Sequence, residues 1–248
     1  MKIGIIGAMK IEVEKLCAMA ENVKKEKVGG IEFNVGDLCG HQVIIAVCGV
    51  GKVFAAMCAQ AMILNYSPDA IINTGVAGAL ASELRVGDVA VAENVVQHDM
   101  DTSPIGDPVG LISGINMVQI PADEKISSSL KKTAADLGMT CLSGTIASGD
   151  QFIADREKKE FISNTFDAVA CEMEGAAVGQ VCYVNRVPFA VIRAISDDAD
   201  NGACEDYPTF AANAAKNSAS ISAVTAKRPT VWKNIPLSLR SQRLLSAV

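Results

Sequence analysis

Apolar residues in this chain come in short runs, separated by segments with helical spacing. Residues 2–7 (KIGIIG) read as a buried strand, and 9–21 as a helix with Ile11, Leu16 and Met19 on its apolar side. Residues 31–36 and 42–48 read as further strands that turn at Gly40-His41. An Ala- and Met-rich helix is expected over 52–65, then strand 69–74, the segment Gly75-Val76-Ala77-Gly78, and strand 87–96. The second half continues the alternation, with helices over 123–137, 155–164, 174–184 and 206–225 and strands over 140–147, 167–171 and 188–195. Such alternation predicts an α/β fold with a largely parallel sheet. The strands are nearly all apolar rather than alternating, as strands covered on both faces are. No linker divides the chain, so residues 1–226 are expected to form a single domain.

Two stretches break the pattern. Residues 98–114 (HDMDTSPIGDPVGLISG) hold Pro, Gly and Asp between predicted elements, and a loop this long in a compact domain is usually functional or part of an interface. Residues 227–248 form an atypical basic tail, with five basic residues, no acid and the only Trp.

Composition narrows the function. Half of the residues are apolar, which excludes a disordered chain. The formal net charge is −6, so the basic footprint of a nucleic-acid partner is missing. No apolar run reaches the roughly 18 residues of a membrane span. Glu12 and Glu14 follow the first apolar run at once, which a signal peptide would not allow. Eight cysteines form no C-x-x-C pair and sit mostly in apolar runs, as buried free thiols in a reducing cytoplasm do. His41 and His98 are too few and too far apart for a zinc site, so neither metal nor cofactor is expected.

The candidate chemistry gathers at predicted strand ends, where open α/β sheets bind ligands. Gly49-Val50-Gly51-Lys52 lacks both the Ser/Thr of a phosphate loop and the third Gly of a dinucleotide fingerprint, and reads as a tight turn. Small residues at Asn73–Gly78 allow a ligand close to the backbone, or serve a packing turn. Glu172 and Glu174 flank Met173 at a strand-to-helix junction. They suit either a ribose diol or the positive end of a helix. Asp197 follows the strand PFAVI, where a helix cap or a Mg²⁺ site with Asp198 and Asp200 is the alternative. Phe152 follows strand 140–147 and can stack on a flat ring or fill a core. Glu12 stands just past the first strand, and alone would read as a polar helix face. Together, all of these groups fall at the carboxyl ends of different strands.

The blocks GIIGAMKIEVEKL, GVGKVFAA, DAIINTGVAGAL, VGDVAVAENVVQHDMD, SGDQFI, ACEMEGAAVGQVC and VPFAVIRAISDDAD run in this order from residue 1 to about 222. The set resembles the 5′-methylthioadenosine/S-adenosylhomocysteine nucleosidase family. That resemblance implies a nucleoside phosphorylase-like fold, a mixed twisted sheet flanked by helices, and a homodimer in which loop 102–113 reaches the neighbouring site. It implies Asp197 as the acid that protonates adenine N7, Glu12 as the base that activates water, and Glu174 as the ribose-diol ligand with Met173 against the sugar. Phe152 would stack on adenine and the Ile153 backbone would read its edge. Met9, Val76, Ala77, Gly78 and Arg193 match positions lining the same site, with Glu172 and Ser196 beside them. Methylthioadenosine, S-adenosylhomocysteine, 5′-deoxyadenosine and aminofutalosine all fit this reading. The rival readings are a phosphorylase of the same fold and a non-catalytic nucleoside sensor.

Overall fold

The computed structural model describes residues 1–199 and 203–228; the basic tail beyond Arg228, and Asp200, lie outside them. Ten strands form one mixed sheet. In chain order they are β1 Lys2–Gly7, β2 Glu21–Val28, β3 Ile31–Leu38, β4 His41–Val47, β5 Ala70–Ala79, β6 Val89–Gln97, β7 Gln119–Pro121, β8 Cys141–Ser148, β9 Ala168–Glu172 and β10 Phe189–Asp197. The helices are α1 Lys10–Met19, α2 Lys52–Tyr66, α3 Glu124–Asp136, α4 Arg156–Phe166, α5 Gly175–Val184 and α6 Ala203–Ala226.

Strands β4, β1, β5 and β10 lie parallel side by side. β10 also pairs with β6, β6 with β8, β8 with β9, and β9 returns to β5. Five strands thus close on one another, with β1, β4, β3 and β2 extending from β5. The apolar runs have the cause that the sequence suggests, because both faces are covered. Ile6, Ile44, Ile71 and Val191 pack toward α2 and α5. Ile3, Ile5, Val43, Ile45 and Ile72 pack toward α1, α3 and α6. Each fully buried aliphatic side chain contributes about 1.5–3 kcal/mol. A Cβ on Gly4 would crowd Met62 Sδ and the Ile71 side chain, so this glycine eases the packing of β1 against α2.

Four boundaries differ from the sequence reading. Helix α1 stops at Met19, and ENVKKEKV forms strand β2 at the sheet edge. Seven of its eight residues are exposed, so no buried face imposed a period, and its lysines suit an edge that must not recruit another strand. Strand β5 runs through Gly75–Gly78 to Ala79, and β10 runs on to Asp197. The three-residue strand β7 pairs with β6 and carried too few residues for a pattern. Loop 98–114 is irregular apart from a short 3-10 turn at Ser103–Ile105 and a bridge from Ile112 to Met117.

Candidate active site

The carboxyl ends of β1, β5, β9 and β10 and the segment after β8 surround a cavity that opens to solvent. Of the expected site residues, Met9, Glu12, Val76, Ala77, Gly78, Phe152, Ile153, Glu172, Met173, Glu174, Ser196 and Asp197 all line it. Arg193 does not: it is fully buried and lies behind Glu172. Ala8, Val50, Gln151, Cys171 and Tyr207 also line the cavity. The first four adjoin residues or turns that the sequence did single out. Tyr207 lies near the start of the last helix with no local signal, and it meets Phe152 edge-on with ring centroids 5.5 Å apart.

Glu12 lies in the first turn of α1 and is buried. Its Oε2 accepts the N–H groups of Ala8 at 2.7 Å and Met9 at 2.9 Å, and its Oε1 accepts that of Val76 at 3.2 Å. The carboxylate therefore bridges the ends of β1 and β5. Burial pushes its pKa up; the Arg193 charge and the three N–H donors pull the other way without cancelling this. A Cβ on Gly75 would stand 2.6 Å from Glu12 Oε1, so the glycine leaves space for the carboxylate.

Glu172 closes β9 and faces inward. Its carboxylate accepts the N–H groups of Glu174 and Gly175, capping α5, and also the hydroxyl of Ser148. The Arg193 guanidinium meets it through Nε at 3.1 Å and through a close contact of its second nitrogen, which also reaches Asn73. The macrodipole reading of this acid therefore holds for Glu172 itself. Glu174 is the N-cap of α5, and its Oε1 accepts the Gly51 N–H at 2.9 Å. Arg193 lies 3.9 Å from its Oε2. Burial, then the neighbouring Glu172 charge, push the Glu174 pKa up to about 7.

Asp197 ends β10, where the register with β5 shifts between Ile195 and Asp197. It is 2 % exposed. Its Oδ1 accepts the Ala199 N–H at 3.0 Å, and its Oδ2 accepts the Ser196 hydroxyl at 2.8 Å. The Ala77 carbonyl stands 3.3 Å from the same hydroxyl as a second acceptor. Gly78 pairs with Asp197 across the strands, and a Cβ there would meet both Ala199 Cβ and Asp197 Oδ1 at 2.8 Å. Gly75 and Gly78 thus each clear room for one carboxylate.

The sequence model described as Phosphorylase superfamily matches residues 2–226. The 5′-methylthioadenosine/S-adenosylhomocysteine nucleosidase of Shewanella loihica is 41 % identical over 225 residues, covering 88 % of this chain and 96 % of that one. The nucleosidase of Neisseria meningitidis, solved with methylthio-immucillin-A, superposes with a TM-score of 0.88 at 36 % identity, covering 91 % and 98 % of the two chains. A futalosine hydrolase of Helicobacter pylori superposes with a TM-score of 0.87 at 35 % identity, over 91 % and 97 %. The chain belongs to the methylthioadenosine/S-adenosylhomocysteine nucleosidases of this superfamily.

For a member of this family, the charge at the cavity matters. Glu12, Glu172, Glu174 and Asp197 line it, whereas the described lining holds no Lys or Arg. Arg193 offsets part of this charge from behind. Its bonds to Glu172, Asn73 and the Ile192 carbonyl hold it in that position. Among the described residues, no group of three or more His, Cys, Asp or Glu is placed to hold a metal ion.

Proposed function

We propose that Asp197, Glu12 and Glu174 carry the hydrolysis of the N-glycosidic bond of 5′-methylthioadenosine and S-adenosylhomocysteine, releasing adenine and the 5-thioribose product. Cleavage leaves electron density on the purine and positive charge on the sugar. A proton passes from Asp197 to adenine N7, so the base departs neutral. Water attacks C1′ and gives its proton to Glu12. The Ser196 hydroxyl has two acceptors in reach, so it can leave Asp197 for the Ala77 carbonyl when the carboxyl carries its proton. Burial of Glu12 favours a carboxylate that takes up a proton readily, as a base must. Glu174 accepts hydrogen bonds from the ribose diol, and the acidic lining favours the cationic sugar of the transition state. Acid and base catalysis each contribute about 10²–10⁴-fold. Phe152 stacks on the adenine and Ile153 reads its edge, with Met9, Val76, Ala77, Gly78 and Met173 shaping the walls.

The observation that carries this reading is that Glu12 and Asp197, from two separate strand ends, share one cavity with no described cation in its lining. A phosphorylase needs a cationic anion site there, and the only guanidinium nearby among the described residues is committed to Glu172. The test is product analysis of 5′-methylthioadenosine with and without phosphate. Adenine and methylthioribose at the same rate in both support hydrolysis. A phosphate-dependent sugar 1-phosphate overturns it and removes the base role from Glu12.

The working unit in this reading is a homodimer. On α2, Val53 and Leu64 are 69 % and 71 % exposed, with Phe54 and Met57 also open, and on α5 Tyr183 and Val184 are exposed. Ile105, in loop 102–113, is 82 % exposed, and no residue of that loop lines the cavity of its own chain. Both features fit a loop that completes the site of a second copy. No helix among the described residues is long and apolar enough to cross a membrane. Cys17, Cys39, Cys48, Cys58, Cys141 and Cys171 are free thiols, which supports a reducing cytoplasm as the compartment. Residues 1–226 are the nucleosidase domain in this reading, and 227–248 an appendage to it.

A further inference from the structure

We propose that Lys52, Asp99 and Asp150 form a positioning ring that sets the ribose-side carboxylate Glu174 and the base-side segment Gln151–Ile153 relative to each other. The inference rests on the reading that the cavity takes a nucleoside. The three residues come from three separate turns: the start of α2, the loop after β6, and the loop after β8. Their bonds close a circuit. Lys52 Nζ donates to Asp99 Oδ1 at 2.6 Å, Asp99 Oδ2 accepts the Asp150 N–H at 2.9 Å, and Asp150 Oδ1 accepts the Lys52 N–H at 2.8 Å. The Lys52 and Asp99 side chains are each 17 % exposed. None of the three lines the cavity, so they act through other residues.

Two chain neighbours carry the effect inward. Gly51, directly before Lys52, gives its N–H to Glu174 Oε1 at 2.9 Å. Its φ of +103° favours glycine, and a Cβ would lie 3.1 Å from Asp150 Oδ1, so the turn is built around the ring. Asp150 directly precedes Gln151, Phe152 and Ile153, which line the cavity. A side branch reaches the same place. Lys52 Nζ also donates to Gln97 Oε1 at 3.1 Å, and Gln97 donates to Gln180 on α5, the helix that Glu174 opens. Burial opposes the charge on Asp99, but the bonds from Lys52 and Asp150 outweigh it and hold its pKa below the usual range. Glu174 faces Glu172, Arg193 and Glu12, with Cys48 and Tyr207 sensing its charge. The Gly51 N–H favours its ionised form.

The test uses the full-length protein with Lys52→Met, Asp99→Asn, the double variant and Lys52→Arg. Adenine release from 5′-methylthioadenosine is followed across pH, with a melting curve for each protein. A displacement approaching 1 Å costs up to about 10²-fold. Lys52→Met is expected to raise KM about ten-fold or more with kcat within about three-fold, since both displaced groups hold the nucleoside in ground and transition states alike. The acid limb of kcat/KM moves to higher pH as Glu174 loses the Gly51 bond. The double variant is expected to be no worse than either single one, because the ring acts as a unit, and Lys52→Arg keeps KM near the parent value. An unchanged KM and acid limb in a folded Lys52→Met protein, or additive losses, overturns the proposal. If Lys52→Met does not fold, Asp99→Asn decides by the same readouts. If the parent releases no adenine, the nucleosidase reading fails by itself. The ring is then judged by calorimetric binding of adenine: about ten-fold weaker binding in Lys52→Met supports it, and equal binding in the two proteins overturns it.

Discussion

Replacing Gly75 by Ala isolates the placement of Glu12. Gly75 lies in β5 with an ordinary strand φ, so alanine meets no backbone strain there. The added Cβ would stand 2.6 Å from Glu12 Oε1, against about 3.4 Å where ordinary contact begins. The carboxylate must therefore retreat by about 0.8 Å. Its bond from the Val76 N–H, already 3.2 Å, is the one most readily lost. Misplacing a reacting group by about 1 Å costs up to about 10²-fold, so kcat is expected to fall about 10- to 100-fold. Gly75 does not line the cavity, so nucleoside affinity should stay within a few-fold. Overpacking costs about 1–3 kcal/mol, which lowers Tm by about 2–12 °C in a domain of this size. Steady-state adenine release, inhibitor titration and a melting curve measure all three. A folded Gly75→Ala protein with kcat within two-fold of the parent would refute the argument that this glycine makes room for the base.

Arg193→Met should lower stability by about 3–5 kcal/mol, because Glu172 loses its buried partner; denaturant unfolding checks this, and adding Glu172→Gln should recover part of the loss. The pH dependence has a definite sign. A carboxyl whose folded pKa is raised, as for Glu174, contributes stability that is complete below its unfolded value near 4.5 and is lost as pH rises through about 7. The Tm difference between the ligand-free parent and Glu174→Gln should therefore shift against the parent from pH 4.5 to pH 7, and a flat difference would contradict the raised value. Gly78→Ala should impair turnover through Asp197 in the way that Gly75→Ala does through Glu12, and kcat equal to the parent's would argue against that crowding.

Much of this architecture was legible because both faces of the central strands are covered. KIGIIG, DAIINT and PFAVIRAI have no polar face to show, and their lengths and flanks mark them as strands. β2 was not legible, because all of ENVKKEKV except Val28 is exposed, and the strand is held by pairing with β3 and a bond from the Tyr66 hydroxyl to Glu26. Gly75 and Gly78 read equally as room for a ligand near the backbone or as a packing turn. Their actual task, clearing space for Glu12 and Asp197, depends on side chains more than 60 residues away. The two acids around Met173 also have unlike surroundings that no spacing reveals: Glu172 binds Arg193 and caps a helix, while Glu174 is tied to the Gly51 turn. Tyr207 became visible only when α6 folded back beside Phe152. The GVGK, HDMD and SGD segments, read singly as turns and loops, gained a shared purpose once their side chains were seen to meet.

The most direct test of the central claim is Glu12→Gln and Asp197→Asn, each measured for adenine release and for binding of 5′-methylthioadenosine by calorimetry. Both variants are expected to lose about 10²–10⁴-fold in kcat. Glu12→Gln should still bind the nucleoside with near-parent affinity, because the base acts on water rather than on the ligand. Near-normal kcat in either folded variant would contradict the assignment of acid and base.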